Sequence, residues 1–255
     1  MPLKHLLQFN EDQLWEPGLP AVAVCQARNS LQVYRYRRQA SSHRGSGQLL
    51  SSRIPQNREM DLMHLHVVRH GETWANAERR YLGALDPELT ERGREQAFSL
   101  SQNLPAGIDA LIVSPRLRAQ QTAQILNQAL NLELVTMDSF RERYVGVFEG
   151  LTQAEAKAQY PQLWAQNITR QWAVGPTGGE SIAEVVARVH QGLAELAARY
   201  PSGTVLLVAH GFVAKVIRGL ALGDFADFYD WQLENGDRLL LENFHPMALP
   251  TSALL

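Results

Sequence analysis

From residue 63 onward, short apolar runs alternate with amphipathic helical stretches, and that alternation constrains the fold more than any other feature. MHLHVV (63–68), IDALIVS (108–114) and TVLLVAH (204–210) read as strands. Residues 89–104, 116–130, 180–200 and 211–222 carry apolar residues at helical spacing, for example Ala119, Ala123, Leu126 and Leu130. Thr90 stands where a helix N-cap belongs. DWQLENGDRLLLEN (230–243) reads as two strands around an Asn-Gly turn. Alternating strands and helices predict a three-layer α/β/α domain around a mostly parallel central sheet, spanning 61–255.

Residues 1–60 read differently. AVAVC (21–25) and LQVYRY (31–36) suggest a β-hairpin, followed by a polar Arg-rich linker. Seven arginines and no acid lie between Arg28 and Arg58. Such an arm can bind an anionic partner, but a solvated arm that packs on the main domain is favoured. Four aromatics in this extension, Phe9, Trp15, Tyr34 and Tyr36, are too few for a core of its own.

Composition narrows the function classes. The net charge of −2 gives no general attraction for nucleic acid, so no nucleic-acid partner is expected. No apolar run reaches the length of a membrane span, and the N-terminus lacks the pattern of a signal peptide. Cys25 is the single cysteine, which precludes an internal disulfide and suits the cytoplasm. His64 and His66 alternate on a strand, which is not enough for a metal site. His190 falls mid-helix and reads as a packing or surface residue. A homodimer is expected only because dimers are the commonest assembly.

In an open α/β sheet, ligands bind beyond the carboxyl ends of the strands. Those ends carry Arg69-His70-Gly71-Glu72-Thr73, Ser114-Pro115-Arg116 and His210-Gly211. Two histidines and two arginines gathered at one edge are best explained by a doubly charged anion such as a phosphoryl group. The N–H of Gly71 and those of the helix after His210 would add dipolar attraction. Imidazole is a competent nucleophile near neutral pH, and a proton donor for the leaving oxygen is then needed. FRERYVGVFEG (140–150) offers Glu142 and Glu149.

At these residues the chain resembles the histidine phosphatase superfamily, the phosphoglycerate mutase-like family. RHGETWAN (69–76), YLGALDPELTERGREQA (81–97), SPRLRAQQTA (114–123), FRERYVGVFEG, GGES (178–181) and VAHGFV (208–213) follow the family order. The resemblance implies that His70 becomes phosphohistidine, that Arg69, Arg116 and His210 hold the phosphoryl oxygens, and that Glu142 donates and accepts the proton. Thr73, Asn76 and Gly211 would line the same pocket. Arg116 is preferred over Arg118, which is expected to be exposed. Glu149 matches the structural acid of the block. Phe148 stands where the family usually has Trp, so aromatic packing is expected to persist. Arg141 and Arg143 flank Glu142 and would lower its pKa unless both face solvent. No metal or other cofactor is implied, because the arginines neutralise the charge.

Only 68 residues separate Glu142 from His210, which favours a compact phosphatase over a mutase with its long insertion. The GGES form is similar to broad-specificity and ribazole-phosphate phosphatases. The expected activity is hydrolysis of a small phosphorylated metabolite. The alternatives are a phosphoglycerate-type mutase, or a regulatory binding protein that uses the Arg-rich arm. Substrate choice is expected to lie in loops 78–88 and 150–180, with Trp164 and Trp172 near the latter.

Overall fold

The computed structural model describes residues 63–245 and the backbone of residues 32–35. The suggested strand 21–25 and the linker after residue 38 lie outside the described residues. Within them the sheet has six strands: β1 (Gln32–Arg35), β2 (Met63–Arg69), β3 (Ala110–Val113), β4 (Leu134–Thr136), β5 (Thr204–Ala209) and β6 (Arg238–Phe244). Their order is β1-β6-β2-β5-β3-β4. Strands β2, β5, β3 and β4 run parallel, while β6 lies antiparallel to β2 and parallel to β1.

The three central strands are apolar on both faces because both are covered. Leu65, Val67, Val205 and Leu207 pack toward α6 (Ile182–Arg199) and α7 (Gly211–Leu222). Val68, Leu111, Val113, Leu206 and Val208 pack toward α2 (Glu91–Ser101) and α3 (Leu117–Leu130). The helices begin where the sequence chemistry says they should. Thr90 Oγ1 accepts from the Gly93 N–H at 3.1 Å, and Ser181 forms a reciprocal capping box with Glu184. The expected three-layer architecture is present.

Two elements differ from expectation. Strand β4 leaves no recognisable pattern in the sequence, since three residues are too short to show alternation. The 230–243 segment is not a hairpin, because residues 230–237 form no strand. Asn235 and Gly236 do turn the chain, with Gly236 at φ +77°. They turn it across the end of β2, where the Gly236 N–H donates to the Arg69 carbonyl at 3.1 Å. The Asn235 amide donates to the His70 carbonyl at 3.0 Å. The segment therefore braces the end of β2 instead of pairing with β6.

Candidate active site

The carboxyl ends of β2, β5 and β3 deliver Arg69-His70, His210 and Ser114 to one point. The rings of His70 and His210 stand 5.1 Å apart, edge to face, and both are buried. His70 Nδ1 lies 2.7 Å from the Gly71 carbonyl. A carbonyl can only accept, so Nδ1 carries the proton and Nε2 keeps its lone pair. Burial, reinforced by Arg118 and Arg69, holds the His70 pKa well below 6.5, so the ring is neutral at pH 7. His210 is held low by burial and then by Arg118. Its Nε2 is 2.6 Å from Ser114 Oγ, while Nδ1 is buried without a partner.

Arg118, not Arg116, is the arginine of this block that contacts His70, and this corrects the expectation that it is exposed. Its side chain is fully buried. Its Nε donates to His70 Nε2 at 3.2 Å, and its NH1 and NH2 donate to the Leu85 and Gly83 carbonyls at 2.9 and 3.1 Å. Arg116 is the N-cap residue of α3, half-buried, with one bond from NH1 to the Ala84 carbonyl at 3.2 Å. The periodicity of α3 carried the missed signal. Arg118 lies one turn before Thr122 and two before Leu126, both buried, whereas Arg116 precedes the helix.

Two further expectations are corrected. Thr73 does not line the cavity. It is fully buried and serves as the cap of α1 (Trp74–Ala77), exchanging hydrogen bonds with Asn76. The Gly71 N–H is not free for an anion, since it donates to Thr122 Oγ1 at 3.1 Å. Gly71 is needed for a different reason: a Cβ there would overlap the Gly93 carbonyl, where the loop presses on α2.

Glu142 faces the same cavity as His70. It lines a cavity of about 310 Å³ together with Arg69, His70, Asn76 and Gly211. Its Oε1 accepts from the Arg143 N–H at 2.9 Å, and its Oε2 from the Phe212 N–H in the first turn of α7 at 3.3 Å. Burial pushes its pKa above 4.5, against the pull of these N–H groups and of Arg118 and Arg69. The flanking arginines do not prevent this. The Arg141 guanidinium pairs with Glu180 at 2.8 Å. That of Arg143 is buried, not solvent-facing, and donates to the Glu180 and Thr169 carbonyls at 2.9 and 2.7 Å. Arg188 also pairs with Glu180 at 2.8 Å and donates to the Ser139 and Arg141 carbonyls, which fixes the loop bearing Glu142.

Glu149 is the structural acid of the block. Its carboxylate accepts from the N–H groups of Gly83, Ala84, Leu85 and Val145 at 3.0–3.1 Å. Loop 83–85 is thus held by Glu149 through its N–H groups and by Arg116 and Arg118 through its carbonyls. Phe148 is fully buried and stacks on Tyr81 at 5.6 Å, so an aromatic does occupy that position. Trp172 packs edge-on against Phe225 and Phe228, away from the cavity wall. Among the described residues, no three His, Cys, Asp or Glu side chains cluster to hold a metal, and no helix is long and apolar enough to cross a membrane.

Paired buried histidines, one buried and one half-buried arginine and one buried acid at the carboxyl edge of a largely parallel sheet define a class of anion-binding α/β domain. The chain belongs to the histidine phosphatase superfamily (branch 1), whose family model matches residues 65–245. Phosphoserine phosphatase 1 of Hydrogenobacter thermophilus is 34% identical over 176 residues, covering 68% of this chain and 83% of the relative. A bifunctional protein of Mycobacterium tuberculosis is 37% identical over 163 residues, covering 62% of this chain. The chain spans only 44% of that relative's length. The mycobacterial glucosyl-3-phosphoglycerate phosphatase, solved in complex with VO3, has a TM-score of 0.60 and 31% identity, covering 69% of this chain and 90% of that one.

Proposed function

We propose that this protein is a metal-independent phosphomonoesterase that works through a phosphohistidine on His70. The observation that carries the reading is the tautomer of His70. Its Nδ1–H is committed to Gly71, so the neutral Nε2 lone pair faces the arginine cluster. In the proposed reaction Nε2 attacks phosphorus in line, and the bond to the ester oxygen breaks. Arg69, Arg118 and His210 neutralise the phosphoryl oxygens. Arg118 takes the part that the sequence alone suggested for Arg116. Protonated Glu142 donates to the leaving oxygen. The resulting carboxylate then takes a proton from water as that water attacks the phosphohistidine, releasing phosphate and restoring both groups.

Hydrolysis is favoured over a mutase reaction by the compact 142–210 interval and by a cavity whose wall includes exposed Arg170 and Gln232, where water can enter. The names of two relatives, a phosphoserine phosphatase and a glucosyl-3-phosphoglycerate phosphatase, support the same reaction type. The substrate is a small phosphorylated metabolite.

The test is hydrolysis of p-nitrophenyl phosphate with EDTA present throughout, using wild type and His70→Ala. Wild-type turnover that survives EDTA and is abolished in the variant is expected. Acid-labile, base-stable labelling by a phosphate donor should be lost in the same variant. Labelling that persists in His70→Ala would remove the proposed nucleophile.

A further inference from the structure

Glu142 stands on a stretch, residues 141–145, that forms neither helix nor strand. A proton donor on such a loop needs outside support, because a misplacement of about 1 Å can cost about 10² in rate. Arg188 of α6 supplies it. Its side chain is almost buried, and all three guanidinium nitrogens are committed. Nε and NH2 donate to the two Glu180 oxygens at 2.8 and 3.0 Å, fork against carboxylate. NH1 donates to the Ser139 and Arg141 carbonyls at 3.0 and 2.8 Å, and NH2 reaches the Glu142 carbonyl at 3.4 Å.

Glu180 grips the far side of the same loop. Its carboxylate accepts from the Tyr144 N–H at 3.0 Å and from Arg141 NH2 at 2.8 Å. Its own N–H donates to the Tyr144 carbonyl at 2.8 Å, and its carbonyl accepts from Arg143 Nε at 2.9 Å. Residues on both sides of Glu142 are thus tied to one ion pair. The close approach of α6 depends on Gly192, one turn after Arg188. A Cβ there would lie 2.7 Å from Ser139 Cβ and 2.9 Å from the Phe140 ring. Neither Arg188 nor Glu180 lines the cavity, so any effect on rate must pass through another residue. Every carbonyl that accepts from Arg188 belongs to segment 139–142, which singles out Glu142 as that residue.

We propose that Arg188, oriented by Glu180, is the positioning residue for the proton donor: it fixes the backbone at 139–142 so that the Glu142 carboxyl meets the Arg143 and Phe212 N–H groups and faces the ester oxygen. The inference rests on the reading of Glu142 as general acid. It adds that the ion pair governs proton donation, through contacts made entirely outside the cavity. A lysine in its place would keep the charge but could not reach these acceptors from one plane.

The test is kcat/KM, per mole of folded full chain, for a series of substituted phenyl phosphates that includes phenyl phosphate and p-nitrophenyl phosphate. These esters are alike in shape and differ in how far the leaving oxygen needs a proton. Arg188→Met should cost phenyl phosphate about tenfold more than p-nitrophenyl phosphate, which steepens the dependence on leaving-group acidity. Arg188→Lys should steepen it as well, and because it keeps a cation beside Glu180 it serves where Arg188→Met does not fold. In the double variant Glu142→Gln, Arg188→Met, the second change should add almost nothing to the loss on phenyl phosphate, since the group it positions can no longer donate. Equal losses across the series in both Arg188 variants, or losses that multiply in the double variant, overturn the proposal while a steeper dependence in Glu142→Gln keeps the general acid. An unchanged dependence in Glu142→Gln itself removes the general acid, and the positioning role falls with it.

Discussion

Replacing Arg118 by methionine keeps most of the buried aliphatic volume and removes every donor of the guanidinium. Two consequences follow. The Leu85 and Gly83 carbonyls lose their partners at 2.9 and 3.1 Å. A buried acceptor left unsatisfied costs about 1–3 kcal/mol, so with two of them the fold should lose roughly 2–6 kcal/mol. The charge beside His70 Nε2 also disappears, and deleting one preorganised donor to a developing charge costs about 10²–10³ in kcat. Arg116→Met is the matched control. It loses a single bond from a half-buried side chain. About 0.5–1 kcal/mol of stability and less than about tenfold in rate are expected. The assay is kcat and kcat/KM on p-nitrophenyl phosphate per mole of folded protein, with circular dichroism melts and vanadate binding in parallel. Vanadate affinity should fall steeply only in Arg118→Met. A loss of a hundredfold or more in Arg116→Met, with Arg118→Met within tenfold of wild type, would refute the assignment.

Glu142→Gln cannot donate a proton, so turnover of alkyl phosphates should fall by about 10²–10⁴, while p-nitrophenyl phosphate, with its good leaving group, loses less than about tenfold. The same variant should flatten the alkaline limb of the kcat/KM profile for alkyl esters. That limb reports deprotonation of Glu142, whose pKa is raised above 4.5, and the acid limb reports protonation of His70, whose pKa is lowered below 6.5. Glu149→Ala leaves four N–H groups without their acceptor, part of them within reach of water; about 2–3 kcal/mol should be lost, seen as a melting point lower by about 4–12 °C. His66 is buried on β2 with a pKa near 4 against 6.5 for the free side chain. Its folded state therefore binds fewer protons than the unfolded one below pH 6.5, and stability should fall by about 3 kcal/mol between pH 6.5 and 4. Denaturant titrations across that range should show a shallower acid loss in His66→Leu than in wild type.

The parts of this fold that were legible in the sequence are those where one residue type answers one local demand. Apolar strands flanked by helices announced the central sheet, Thr90 announced a helix start, and the rule that ligands gather at carboxyl strand ends pointed to His70 and His210 without any contact being known. The parts that were not legible depend on direction. SPRLR offers two arginines two residues apart, and the strand-end rule favours the first because it stands closer to β3. The geometry favours the second, because a helix that starts at Leu117 turns Arg118 inward above Thr122 and leaves Arg116 as its cap.

The same reasoning explains Thr73 and the Asn-Gly segment. Thr73 follows His70 closely enough to look like a ligand, yet α1 needs a cap, and its fully buried hydroxyl spends its one proton on Asn76 Oδ1. Asn235-Gly236 has the composition of a hairpin turn. The end of β2 exposes the Arg69 and His70 carbonyls, and the Gly236 N–H and the Asn235 amide satisfy them. Composition identifies a turn, but an unmet backbone acceptor elsewhere in the chain decides where it docks. His70 is consequently held at its ring and at its carbonyl. Gly71 fixes its ring through Nδ1, and Asn235, 165 residues away in sequence, fixes its carbonyl. An Asn235→Ala variant should therefore lower kcat for every phosphomonoester by a similar factor while leaving their relative KM values in place, since it acts on the placement of His70 and, apart from a long 3.4 Å bond to Asn76 Oδ1, does not itself line the cavity.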